Sequence, residues 1–282
     1  MGEVGIGGEA PMKLLQTDRS VVTLAFSPDG SLLAAGGWQY LALWDVRTGR
    51  AIVVKQKPCA YVVSAAFTPN GKGMAWIARS GGSPPWHQEL RYGQVTAPRQ
   101  SGRLDLQPGQ DARVAALADG HMLVAVAGQA TYYDPAKYRI VQRSFDPGVG
   151  RYVDLWESRS GRVPAFCDAN GHLDAFGLVP EGAPLAQVSN YVLDVWAVGQ
   201  KTPRLRQDQP RFYSAAFTPD GNRLLAGRTD KVVVAWDMET WTICGWLDWG
   251  IGCAECLAIS PDGLTAAASG YTGEIVIWNL DL

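Results

Sequence analysis

The sequence predicts an all-β protein assembled from repeats of short antiparallel strands, and three observations carry that prediction. The 282 residues include 32 Gly and 17 Pro, a density of chain punctuation that leaves little room for long helices. No window sustains a 3.6-residue apolar period. One pattern recurs along the chain: a short apolar run, Ser/Thr-Pro-Asp/Asn-Gly, a second apolar run, a turn, and a third run ending in Trp.

The clearest copies begin at Val21, Val62, Tyr213 and Glu255. In each, Pro presets φ and Gly supplies positive φ, which is tight-turn chemistry between two strands. From turn proline to terminal tryptophan, Pro28 to Trp44 is 16 residues, while Pro219 to Trp236 and Pro261 to Trp278 are each 17. Runs of about six residues at such spacing read as antiparallel strands. Weaker copies lie between. One starts near Ala118-Asp119-Gly120, with Tyr133 in the Trp position, and another runs from Pro180 to Trp196. The second repeat carries an insertion over Ser80–His87, so Tyr92 stands for its Trp. The expected inner-strand starts fall near residues 21, 61, 113, 152 or 172, 212 and 254. An aromatic ring in the same slot every ~40 residues lets each unit bury it against its neighbour.

With Trp44-Asp45, Trp236-Asp237 and Trp278-Asn279 each following such a turn, the chain resembles the WD40-repeat family over residues 12–282. The resemblance implies a β-propeller of four-stranded blades: six blades plus a hairpin, or seven. Met12–Leu15 is expected to complete the last blade, whose Ile275–Leu280 strand has no successor, and so to remove an exposed edge. Residues 1–11 read as a flexible tail and 12–282 as one domain. The family's Gly-His dipeptide is missing; Thr17-Asp18 stands in that region, and the turn Asp that would pair with the His survives at Asp230 alone, its place taken elsewhere by Trp38, Asn190 and Thr272. Apolar stacking must carry more of the stability.

Composition bounds the function. Hydrophobic residues are 47% and charged residues 18%, with 25 Lys+Arg against 27 Asp+Glu. That supports a sizeable core and argues against nucleic acid or an anionic membrane as partner. The N-terminus lacks the basic and apolar regions of a signal peptide, no apolar stretch approaches a membrane span, no Asn begins a glycosylation sequon, and five cysteines is an odd number. These point to a reducing cytoplasm.

Little in the chain looks catalytic. Cys253-Ala-Glu-Cys256 is a CxxC, yet Cys256 aligns with Thr23, Ser64 and Ser214 and reads as a small buried side chain. His87, His121 and His172 follow no metal-ligand spacing and read as solvated loop residues. Lys201, Arg204, Arg206 and Arg211 read as a solvated face. No nucleophile elbow, phosphate loop or EF-hand spacing occurs, and no cofactor or metal is expected. Aromatics do gather at the loops that the family topology puts on one rim: Trp38, Trp86 and Trp249, with Tyr40, Tyr61, Tyr191, Phe212 and Tyr271 beside them. Trp38, Tyr40, Trp86 and Tyr271 form the expected binding rim. The resulting expectation is a non-catalytic scaffold for another protein or peptide. A propeller enzyme of hydrolase or lactonase type, and an interaction module of a larger signalling protein, are the alternatives.

Overall fold

The computed structural model describes residues 13–81, 86–95, 100–106, 112–116, 122–126, 129–134, 139–144, 156–158, 161–163, 165–167, 173–176, 185–189, 191–196, 203–248 and 250–280. The expected tail lies outside them. Every regular element among them is a β-strand, and no helix there is long and apolar enough to cross a membrane.

In chain order, β1 (Lys13–Gln16) precedes a first blade made of β2 (Val21–Phe26), β3 (Leu32–Asp45) and the first part of β4 (Ala51–Phe67). The rest of β4 joins β5 (Gly73–Ser80), β6 (His87–Gln94) and β7 (Gln100–Asp105) in the second. The third holds β8 (Ala112–Ala116), β9 (Met122–Val126), β10 (Gln129–Asp134) and β11 (Arg139–Ser144). Two hairpins follow, β12–β13 (Trp156–Ser158, Gly161–Val163) and β14–β15 (Ala165–Cys167, Leu173–Phe176). Next comes a three-stranded sheet of β16 (Leu185–Ser189), β17 (Val192–Trp196) and β18 (Leu205–Gln207). A four-stranded blade then comprises β19 (Phe212–Phe217), β20 (Arg223–Arg228), β21 (Val232–Asp237) and β22 (Thr242–Asp248). The last holds β23 (Ala254–Ile259), β24 (Thr265–Gly270) and β25 (Glu274–Asn279), with β1 as its fourth strand, ordered β1-β25-β24-β23. β3 doubles back at Gln39, whose φ is 51°. Its first half pairs with β2 and its second with β4, and the Val46 N–H donates to the Ser31 carbonyl across its two ends at 2.9 Å.

Each a–b turn of the four clear repeats is built the same way. Ser27, Thr68, Thr218 and Ser260 donate their hydroxyls to Asp29, Asn70, Asp220 and Asp262 at 2.6, 2.7, 2.5 and 2.5 Å. Each hydroxyl also accepts the N–H of the residue that opens the next strand, as Leu32 does at 2.9 Å and Arg223 at 3.0 Å. Gly30, Gly71, Gly221 and Gly263 take φ near +70° to complete the turn. The Trp-Asp aspartates cap a second turn: Asp45 accepts from the Thr48 N–H at 2.6 Å and Asp237 from the Thr240 N–H at 2.8 Å. Trp44, Trp236 and Trp278 pack in the apolar clusters between sheets.

Inner strands stand side by side in the order β19, β23, β2, β4, β8, β15, and β16 lies beside both β15 and β19, so they follow one another in a circuit. Gly36, Gly227 and Ser269 occupy one slot, eight residues after the turn proline, where the next blade's inner strand comes closest. A Cβ on Gly227 would sit 2.4 Å from the Ala254 carbonyl oxygen, and the Ser269 hydroxyl donates to the Val21 carbonyl at 2.9 Å. The small-residue slot of β19 and β23 works likewise, with the Ser214 hydroxyl donating to the Ala254 carbonyl at 2.9 Å.

The Trp slot shows one departure from the expected alignment. Trp236 and Trp278 pair with the fifth residue after the turn proline, Leu224 and Ala266, and Trp196 does so with Leu185. In the second blade that partner, Met74, faces Gly93, and Tyr92 pairs with Ala75. Tyr92 therefore does not replace the Trp. It falls one residue early, and its ring instead lies over Gly73, where a Cβ would meet the phenol oxygen at 2.3 Å.

Two outcomes test this frame. Lys13–Gln16 pair with Ile277–Glu274, and Leu15 is buried in the core cluster between the last and first blades. Deleting residues 1–16 should cost several kcal/mol, at about 1 per backbone bond plus the burial of Leu15, whereas deleting 1–10 should leave the melting temperature unchanged. Equal melts for both truncations would overturn the closure. The turn carboxylates give the second outcome. Hydroxyl and backbone hydrogen bonds hold Asp29, Asp220 and Asp262 below the ordinary carboxylate pKa, so their contribution is complete above the unfolded value of about 3.9 and is lost as pH falls through the lower folded values. Asn70 shows that an amide makes the same turn. The triple variant Asp29→Asn, Asp220→Asn, Asp262→Asn should fold and should lose less stability between pH 5 and 3 than the parent, read by thermal melts across that range.

Candidate functional site

Among the described residues, some of the anticipated aromatics are exposed at the loops expected to share a rim, and another exposed ring, Trp246, lies on the outer strand β22 instead. Trp38 and Tyr271 each stand ten residues after a turn proline, at the b–c turns of the first and last blades, and are 55% and 65% exposed. Because β2 lies beside β23, those blades are neighbours. Tyr61 opens the inner part of β4 and is paired with Trp38 in register, their ring centroids 6.1 Å apart. Arg79, opposite Tyr61 on β5, places its guanidinium 4.9 Å from the Tyr61 ring and 4.0 Å from that of Trp86. Trp38, Tyr61, Arg79 and Trp86 thus form one continuous stack across two blades. Burial holds the Tyr61 hydroxyl above its ordinary pKa although Arg79 pulls it down.

Tyr40 does not belong to this rim. It is 3% exposed and packs in the first core cluster with Leu24, Phe26 and Leu33, and burial pushes its hydroxyl up to about 12. The left-handed backbone at Gln39 reverses the chain, so Trp38 ends one strand outside the core while Tyr40 begins the next inside it. Phe212 is also buried, in the cluster that holds Trp236, with ring centroids 5.9 Å apart. Trp249 lies outside the described residues.

A second group completes the face. Tyr191, at φ 67°, meets the Tyr213 ring edge-on at 5.4 Å, and the Arg211 guanidinium lies 5.4 Å from the Tyr191 centroid. Glu255 occupies on β23 the slot that Tyr213 occupies on β19, and its carboxylate is 3.5 Å from the Ser20 hydroxyl. Tyr213 and Glu255 escaped the sequence reading as site residues because each is skipped by the pairing register of its strand. A bulge of this kind re-aims a side chain without leaving a compositional mark.

The remaining candidates resolve into structure. Cys256 is a half-buried free thiol packed against the first core cluster, its pKa raised to about 11 by desolvation, and Cys253 donates to the Thr229 carbonyl at 3.0 Å. Arg204 stacks on Trp241 at 4.4 Å and Arg206 pairs with Asp194 at 3.2 Å; Lys201 lies outside the described residues. Asp230 pairs with Arg228 rather than with a histidine. His121 and His172 also lie outside the described residues. His87 is not in a loop: it starts β6 and joins Glu89 and the cross-strand Asp105, ligand atoms within 4.8 Å of one another. Those three could hold a metal ion by distance. Both oxygens of Glu89, however, are taken by guanidinium groups, Arg91 at 2.9 Å and Arg103 at 3.2 Å. The cluster is a cross-strand charge ladder, legible in the alternation of His87, Glu89 and Arg91 against Arg103 and Asp105. Because Glu89 is nearly buried between two cations, Glu89→Gln should lower stability by about 1–2 kcal/mol, measured by denaturant unfolding; an unchanged midpoint would show the ladder is ornamental.

Four-stranded antiparallel blades, stacked through aromatic slots and completed by an N-terminal strand, define a β-propeller of repeat type. A family model described as WD domain, G-beta repeat matches residues 11–45 and 204–237, so those two segments are similar to WD40 repeats. It is also similar to Protein groucho of Drosophila melanogaster, with 25% identity over 118 residues. That stretch is 39% of this chain and 16% of groucho, so the chain spans a small part of that protein's length.

Proposed function

We propose that this chain is a non-catalytic scaffold that binds a segment of another protein across the face carrying Trp38, Trp86 and Tyr271. WD40 repeats support a protein-interaction role in general. The observation that carries the specific surface is the stack of Trp38, Tyr61, Arg79 and Trp86, which holds rigid rings and a guanidinium ready on one face. Large rings left over half exposed, as Trp38 and Tyr271 are, offer apolar area that a partner can cover. Arg79 is held between two rings and so has little rotamer freedom left to lose on binding. Residence in the cytoplasm is part of the same proposal, and the free thiols of Cys244, Cys253 and Cys256 are in keeping with a reducing compartment.

Truncating an anchor ring usually costs about 2 kcal/mol of binding, about thirtyfold in affinity. The double variant Trp38→Ala, Trp86→Ala should keep the parental melt and lose partners recovered by affinity purification from the native host. Trp236→Ala, which empties a core slot at 3% exposure, should instead unfold the protein. Retention of every partner at parental levels by the rim variant would sink this surface.

A further inference from the structure

Six residues before the turn proline, each inner strand of the clear repeats carries one residue that the pairing register skips: Val22, Val63, Tyr213 and Glu255. Three of the four have rings or methyls there. Glu255 alone puts a carboxylate in the slot, between the inner strands β19 and β2. It is half-buried, and the Ser20 hydroxyl at 3.5 Å is its one hydrogen-bond partner among the described residues. Tyr213 and Tyr61 lie near enough for the carboxylate's charge to hold their hydroxyl protons more tightly. Two guanidinium groups of the face are placed elsewhere, Arg79 between Tyr61 and Trp86 and Arg211 over Tyr191, while Arg113 is near enough for its charge to act on Tyr61 and Cys256. Desolvation raises the pKa of Glu255, and the Ser20 hydrogen bond only partly opposes it.

We infer that Glu255 is the seat for a basic side chain, lysine or arginine, carried by the segment that binds this face; the inference rests on the reading under Proposed function and adds the chemistry of the partner. A carboxylate partly stripped of water gains most from a cation, because the pairing is made where solvent screens it least. Tyrosine rings beside it suit the same occupant, since an ammonium or guanidinium is attracted to their faces. An acidic or purely apolar side chain would cover the half-buried carboxylate without offering it a cation, which selects against it.

The seat can be tested without knowing the partner. The probes are n-butylammonium and n-butylguanidinium, with n-butanol as the neutral control and sodium chloride at matched ionic strength, added to the full chain. Carbon-13 NMR of the Glu255 carboxyl should show its titration midpoint falling by about half a pH unit or more with either cation and staying put with the controls. An unchanged midpoint with both cations overturns the seat. Both cations should also raise the parental melting temperature, an effect lost in Glu255→Gln, which should itself melt no lower than the parent; equal stabilisation of the Gln variant counts against the inference. A peptide array with a central Lys, Arg, norleucine or Glu separates this inference from the reading beneath it. Binding that needs Trp38, prefers Lys or Arg by about tenfold and loses that preference in Glu255→Gln supports both. Trp38-dependent binding with no charge preference overturns the seat alone. A cation-shifted Glu255 with no Trp38-dependent binding overturns the face alone.

Discussion

A hydroxyl shared between a carboxylate and a backbone amide determines where each blade begins. Ser27, Thr68, Thr218 and Ser260 each give a proton to the acidic or amide side chain two residues on and receive one from the strand five residues on. With proline fixing φ at the first central position and glycine leaving the turn in the left-handed region, the two strands leave it in one register only. The Trp slot, the small slot against the next blade and the rim turn are all set by counting from that point. Moving the turn by one residue would turn every core side chain to the wrong face.

Blade-to-blade packing depends on closeness more than on bulk. Gly36 and Gly227 admit the neighbouring inner strand because they have no Cβ, while Ser64, Ser214 and Ser269 use hydroxyls to bond across the same junctions. Asp230, bonded to Arg228, has become a surface pair and contributes to the turn rather than to the core.

Much of this was legible in the residues because turn chemistry is local. The inner strands β2, β19 and β23 begin where the spacing places them, and the N-terminal strand appears over Lys13–Gln16, one residue along from the expected Met12–Leu15. What escaped was decided by pairing. Tyr40 was expected on the rim because it lies two residues from Trp38, but the reversal at Gln39 sends it into the core. Tyr92 misses the Trp slot by one residue because β5 and β6 are extended beyond the turn-set length. Tyr213 and Glu255 are placed by bulges, and His87 by its cross-strand partner on β7. None of these leaves a mark in a single strand's sequence.

The pairing of β1 with β25 also has a consequence in time. The Thr17 hydroxyl meets the Gly273 carbonyl across 256 residues of chain, so β1 waits for a strand synthesised long after it. Until then Leu14 and Leu15 are an unpaired edge, and β25 is an edge until β1 arrives. Contacts this distant in sequence slow folding, since the intervening chain must be ordered before they reward it. The blades between can form in the order they are made, each around its own capped turn. The ring becomes a ring in a single late event, and premature association of either edge with another nascent chain is the error this architecture is most exposed to.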